Sequence, residues 1–308
     1  MRALPPTEVV VQVEDLHKHY RETKAVDGIG FEIQEGETFG IVGPNGAGKT
    51  TTVECIEGLR VPDRGKIRVL GLDPLRNREE LRQKIGIQLQ EGRLPDRMKV
   101  WEAMDLFHSF RITASGWRQL LDELGLADKT HAYFETLSGG QKQRLFVALS
   151  LVGNPRLVFF DELSTGLDPQ ARRAIWELVR KVREGGKTVV LVTHFMDEAE
   201  YLCDRVAVLD HGKVLALDTP DSLIRGVFPS AMKVTFQLDD HADPELMVKL
   251  GKVEVEGRTV TVHGHSEGFI VDVVSLLVNS GVRFRQLMVD RMSLEDVFLH
   301  LTGRKVRD

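Results

Sequence analysis

The nine residues Gly43-Pro44-Asn45-Gly46-Ala47-Gly48-Lys49-Thr50-Thr51 carry the pattern G-x-x-x-x-G-K-S/T. They lie between Thr38–Val42, an apolar run of strand character, and Lys49–Glu57, which reads as a helix. Strand–loop–helix is the context in which this pattern cradles phosphate. Gly46 and Gly48 let backbone N–H groups turn toward an anion with no Cβ in the way. The helix N-terminus adds partial positive charge. Lys49 is expected to bridge the β- and γ-phosphates and the Thr50 hydroxyl to hold Mg2+. Gly43, Pro44, Asn45, Ala47 and Thr51 complete the nucleotide-binding loop.

Further along, Leu157-Val158-Phe159-Phe160 runs straight into Asp161-Glu162. A buried parallel strand that ends in carboxylates delivers them to its C-terminal edge, where α/β sheets bind ligands. Asp161 is expected to reach Mg2+, and Glu162 to polarise the attacking water as general base.

Around these anchors the chain alternates strand-like and helical patterns, an α/β arrangement. Val9–Val13, Phe31–Ile33, Lys66–Leu70, Ile85–Leu89 and Thr188–Val192 read as strands, and Pro169–Arg183 and Phe195–Cys203 as helices. Arg205–Leu209 and Lys213–Leu217 pair across Asp210-His211-Gly212, a hairpin turn. Between about Val100 and Glu135 the pattern is helical only, which predicts an inserted helical subdomain over about residues 91–155. Gly226–Ser230 reads as a boundary, giving domains 1–225 and 226–308. The second is a small α+β unit with strands Met232–Gln237, Lys252–Glu256, Val260–His263 and Phe284–Val289, and helices Phe269–Asn279 and Ser293–Leu301.

Composition bounds the function. The 308 residues are 42% hydrophobic and 28% charged, and mean hydropathy is −0.16, values of a globular chain with a sizeable core. No stretch free of Asp, Glu, Lys and Arg exceeds 11 residues, against roughly 20 apolar residues for a bilayer span. The opening Met1–Asp15 has no apolar run long enough for a signal peptide. A net charge of −5 gives no basic field to recruit nucleic acid. Two cysteines, Cys55 and Cys203, make neither a disulfide scaffold nor a Cys-based zinc site, and both are expected in the core.

Between the glycine loop and the carboxylate strand stands Leu137-Ser138-Gly139-Gly140-Gln141-Lys142-Gln143-Arg144. With those two elements it resembles the nucleotide-binding cassette of ABC transporters, over about Val9 to Ile224. The resemblance implies a P-loop cassette with an antiparallel β subdomain and an inserted helical subdomain. It implies ATP and Mg2+ as ligands, an adenine-stacking role for Tyr20 with Val26 beside it, and a Q-loop role for Gln90 at Mg2+. Gln88 is a rival, since strand alternation puts both glutamines on one face. Asp168 matches the D-loop and His194 the switch histidine that contacts the γ-phosphate. Leu163 departs from the proline that many cassettes carry after the acidic pair. The match extends to drug-exporter-type subunits of the daunorubicin-resistance kind, whose accessory domain the C-terminal unit resembles.

In that family Ser138, Gly139, Gly140 and Gln141 meet ATP held by a second copy, or by a paralogous cassette, so two cassettes sandwich two nucleotides. A separate transmembrane permease subunit then docks near the helical subdomain, with Met98, Val100 and Trp101 as candidate contacts, at the cytoplasmic face of the membrane. Soluble ABC-type ATPases of ribosomes or DNA show tandem cassettes, coiled-coil insertions or zinc cysteines, and this sequence has none; a nucleotide-sensing regulator would not need Glu162 and His194. His17-Lys18-His19 and His263-Gly264-His265 place histidine pairs on strand faces, where they could ligate metal, but with no cysteine beside them the sequence favours ordinary strand positions over a zinc site.

Overall fold

The computed structural model describes residues 8–88, 92–112, 116–228, 232–239, 253–264 and 268–303. The chain divides into two compact units, Met1–Thr219 with Val306–Asp308, and Pro220–Lys305.

The first unit is built on a six-stranded sheet in the order β5-β6-β7-β3-β8-β9: β3 (Thr38–Val42), β5 (Ile85–Gln88), β6 (Leu157–Asp161), β7 (Thr188–Thr193), β8 (Arg205–Asp210) and β9 (Lys213–Asp218). The pairs from β5 to β8 are parallel and β9 closes the edge antiparallel to β8. Every residue of β3, β6 and β7 is buried, as expected of parallel strands covered on both faces. The β8–β9 turn has positive φ at both His211 (47°) and Gly212 (74°), the geometry that matches the twist of a tight hairpin.

A second, antiparallel sheet has the order β2-β1-β4, with β1 (Val9–Tyr20), β2 (Thr23–Gln34) and β4 (Arg64–Val69). β1 and β2 are each 12 residues long, well beyond the short runs read from sequence. Register shifts along β1 break the apolar alternation that sequence reading depends on.

Between β5 and β6 come the helices α3 (Val100–Ser109), α4 (Arg118–Glu123) and α5 (Gly139–Leu151). Val100 is 1% exposed, so it packs inside this region and offers no surface to a partner subunit. Helix α6 (Pro169–Glu184) buries Ile175, Leu178, Val179 and Val182, an i, i+3, i+4, i+7 stripe. Helices α1 (Lys49–Ile56), α2 (Arg78–Lys84) and α7 (Met196–Leu202) complete the unit.

The second unit is a four-stranded antiparallel sheet in the order β11-β12-β10-β13, formed by β10 (Met232–Leu238), β11 (Val253–Glu256), β12 (Thr259–Gly264) and β13 (Phe284–Arg291). Phe269, Val273 and Leu277 of α9 (Phe269–Asn279) join Val234, Phe236 and Val260 in its core. This unit begins at Pro220 rather than at residue 226. Pro220 opens a further helix, α8 (Pro220–Val227), which contacts α10 (Leu294–Thr302). Phe228 follows it and meets His300 with ring centroids 5.6 Å apart. No helix among the described residues is long and apolar enough to cross a membrane.

Candidate nucleotide-binding and catalytic site

Because β3, β6 and β7 are parallel neighbours, the loops after Val42, Asp161 and Thr193 emerge at one edge of the sheet. Those loops carry the glycine segment, Glu162 and His194.

Two glycines of the first loop are sterically required. Gly43 has φ +154° and a Cβ there would lie 2.2 Å from the Leu209 carbonyl oxygen. Gly48 has φ +97°, the left-handed region, and a Cβ would lie 2.2 Å from the Ala25 carbonyl oxygen of β2. Gly46, at φ +80°, faces open space. The antiparallel hairpin is therefore seated directly on the loop, and a further clamp comes from Gly212 N–H, which donates to Ala47 O at 3.0 Å. Lys49 is 5% exposed, and its ammonium donates to Gly43 O at 2.8 Å and Pro44 O at 2.9 Å. Burial lowers its pKa, against the nearby carboxylates of Glu162 and Asp161.

Asp161 is buried, and burial first, then the neighbouring Glu162 charge, raises its pKa to about 6. Among the described residues its Oδ1 is buried with no hydrogen-bond partner. An orphaned carboxylate oxygen is a deficit that a cation corrects, so Asp161 and the exposed Thr50 hydroxyl fit Mg2+. Glu162 adopts φ +52°, a conformation that costs energy for a non-glycine residue and turns its side chain out of the strand path. Its N–H donates to Val192 O at 2.9 Å. Its Oε1 lies 3.2 Å from His194 Nδ1, and Oε2 accepts from the Thr165 hydroxyl at 3.4 Å. Leu163 is fully buried and leaves both carboxylates in place.

A cleft of about 650 Å³ is lined by Tyr20, Thr23, Lys24, Ala25, Asn45, Gly46, Gly48, Lys49, Thr50, Thr51, Glu162 and His211. Tyr20 is 39% exposed, with the Arg60 guanidinium 5.2 Å from its ring centroid. Val26 does not reach the cleft. It is 0% exposed within the hydrophobic core, because the strand turns its side chain inward while Ala25 faces the loop. Thr23, Lys24, Ala25 and His211 were not marked by any sequence motif; they arrive through the hairpin tips.

Ser138 N-caps α5. Gln141 N–H donates to its hydroxyl at 3.3 Å, and the Gln141 side chain accepts from Ser138 N–H at 2.9 Å, a capping box. Gly139 and Gly140 have Leu167 and Ala171 as their nearest neighbours, 3.8 and 3.6 Å from where a Cβ would stand. Asp168 N-caps α6, accepting from Gln170 and Ala171 N–H at 3.0 Å each. Among the described residues, neither Ser138–Gln141 nor Asp168 lines the cleft. Gln88 is buried and its side-chain oxygen accepts from Asp161 N–H at 3.2 Å, tying β5 to β6; Gln90 lies outside the described residues.

Comparison with known proteins shows the family. The ABC transporter family profile matches residues 26–165. A Nod factor export ATP-binding protein I from Ralstonia nicotianae is 36% identical over 97% of this chain and 95% of its own length. One from Rhizobium meliloti is 38% identical over 97% of this chain and 90% of its own. Among solved structures, an ATP-binding subunit of an ABC transporter superposes with TM-score 0.64 at 28% identity, covering 71% of this chain and 93% of that one. A dimeric ATP-binding cassette in a post-hydrolysis state with ADP and Pi gives 0.59 at 28%, covering 68% of this chain and 98% of that one. The chain is an ATPase of the ABC transporter family, and its first unit carries the family's ATP-binding cassette.

Proposed function

We propose that this chain is the motor subunit of an exporter, working as a head-to-tail pair of cassettes that close on two ATP molecules and drive a separate membrane subunit. The observation that carries the reading is a division of labour. The glycine loop, Tyr20 and Glu162 share one cleft, whereas Ser138–Gln141 and Asp168 stand outside it. A second copy, or a paralogous cassette, supplies that missing wall through the N-terminus of its α5. Relatives named for Nod factor export support the outward direction; the cargo here is a small or lipophilic molecule selected by the membrane subunit.

Thr50 and Asp161, with Gln90 as the resemblance implies, would hold Mg2+, which would neutralise charge on the phosphate oxygens. Glu162 accepts the proton of the attacking water, and His194 holds Glu162 in place while facing the γ-phosphate. Lys49 exchanges its two loop carbonyls for phosphate oxygens, a swap of hydrogen-bond partners that needs no new void. Closure gives ATP a higher affinity for the joined state than for the open one, and only such a difference performs work. Loss of the γ-phosphate removes the bridge and the pair reopens.

The test is co-purification from native membranes with and without a non-hydrolysable ATP analogue. A membrane protein without a cassette of its own should accompany the chain, and recovery of the chain alone from every preparation would refute the export reading.

A further inference from the structure

We propose that His17, His19 and Asp27 form a binding site for one divalent transition-metal ion, with Asp15 orienting His17. One ligand atom from each of the three residues lies within 4.8 Å of the other two. The sequence shows only a His-x-His pair on β1. The missing carboxylate comes from β2, where Asp27 is the direct cross-strand partner of His17, the position at which side chains meet across an antiparallel ladder. The two imidazoles stand edge to face, with centroids 6.3 Å apart and planes at 86°.

His17 has a carboxylate at each ring nitrogen. Its Nε2 lies 2.8 Å from Asp15 Oδ1 and its Nδ1 lies 3.5 Å from Asp27 Oδ1. A metal ion seated on the Nδ1 side would be coordinated by His17 and Asp27 together while Asp15 keeps the Nε2 side. A carboxylate on the far nitrogen of a ligating histidine is the usual outer-shell partner, fixing tautomer and ring plane. Two imidazole nitrogens and one carboxylate suit Zn2+, Co2+ or Ni2+ better than Mg2+ or Ca2+.

Positive charges surround the site. Lys24 and Lys213 ammoniums lie 3.6 and 3.7 Å from the Asp27 carboxylate, and Arg64 lies 3.0 Å from Asp15 Oδ2. Both lysines are 62% exposed, free to swing into solvent when a cation takes Asp27. Lys18 is already held away by Asp63 at 2.8 Å. His19 immediately precedes Tyr20, and Asp27 N–H donates to Gly212 O at 2.8 Å. An ion here would thus pin the two strands of the hairpin beside the nucleotide cleft.

The experiment uses the full chain stripped with a chelator, titrated with Zn2+ by calorimetry and with Co2+ by visible absorption. One Zn2+ per chain should bind in the low micromolar range, undisturbed by millimolar Mg2+. His19→Gln, at an exposed position that asks little of the fold, should weaken Zn2+ by at least about tenfold, and Asp15→Asn by about 10–100-fold. Absence of saturable Zn2+ binding would overturn the proposal, as would binding that His19→Gln and His17→Gln leave intact. Nitrogen-15 NMR gives an independent readout. If His17 carries protons on both nitrogens and Zn2+ displaces neither, the cluster is an ion-pair network bridged by imidazolium, and the proposal fails.

Discussion

Glu162 Oε1 stands 3.2 Å from His194 Nδ1, joining the ends of two adjacent parallel strands, β6 and β7. The bond aims a carboxylate that its own backbone already holds at positive φ. Glu162→Gln preserves shape and removes the proton acceptor. Turnover should fall by about 10²–10⁴-fold with ATP binding retained, and gel filtration with ATP and Mg2+ should show a dimer. A variant that binds nucleotide yet stays monomeric at saturation would contradict closure by a second copy. His194→Ala should lower kcat with little change in nucleotide affinity.

Lys49 occupies a different link in the chain of events. Its present partners are carbonyl oxygens of its own loop; with phosphate in their place, as proposed, Lys49→Ala should weaken ATP binding itself, by about 10-fold or more at one charge-assisted contact of about 1.5–3 kcal/mol. Fluorescent-nucleotide titration checks this. Gly48→Ala should abolish binding by another route, since its Cβ would push the hairpin off the loop.

Ser138 caps α5, and its proposed second role at a partner's nucleotide can be separated from the first. Ser138→Ala removes the α5 cap and should cost about 0.5–2 kcal/mol of stability. Ser138→Asp keeps a cap of equal quality while setting a negative charge against the partner's γ-phosphate. Denaturation midpoints should therefore separate Ala from Asp, whereas ATPase activity should be lost in Asp. Full activity in Ser138→Asp would show that α5 meets no phosphate.

Glu57, which does not line the cleft, gives a pH signature of its own. It closes α1 and is 4% exposed; burial, then the Asp161 charge, holds its pKa well above 4.5. Above 4.5 the unfolded chain releases this proton while the folded chain keeps it. Stability from this group is thus fully present at low pH and declines as pH rises toward the native pKa. Glu57→Gln removes that decline, so denaturant midpoints of variant and wild type should diverge in the variant's favour from pH 5 to 8.

The phosphate loop and the acidic pair after β6 were legible because each is local, with pattern and geometry falling within a few residues; the helix cap at Asp168 emerged only with the structure. The parallel strands were legible because burial on both faces makes them continuously apolar. What escaped is set by register. The extent of β1 and β2 is obscured by irregular pairing, and the charged helix α2 buries only Leu81. The family resemblance set Val26 beside Tyr20 at the nucleotide, but strand alternation sends it into the core. The meeting of His17 with Asp27 depends on a cross-strand alignment that no spacing along the chain encodes.

The stand-off between Ser138 and its own cleft has a kinetic corollary. If the pocket is complete only when two molecules share it, dilute protein should be nearly idle, and specific activity should climb in proportion to concentration before levelling off. On the proposed reading, tethering both copies to one membrane complex would raise their local concentration by orders of magnitude. Output would then be governed by the permease that gathers the copies rather than by their abundance.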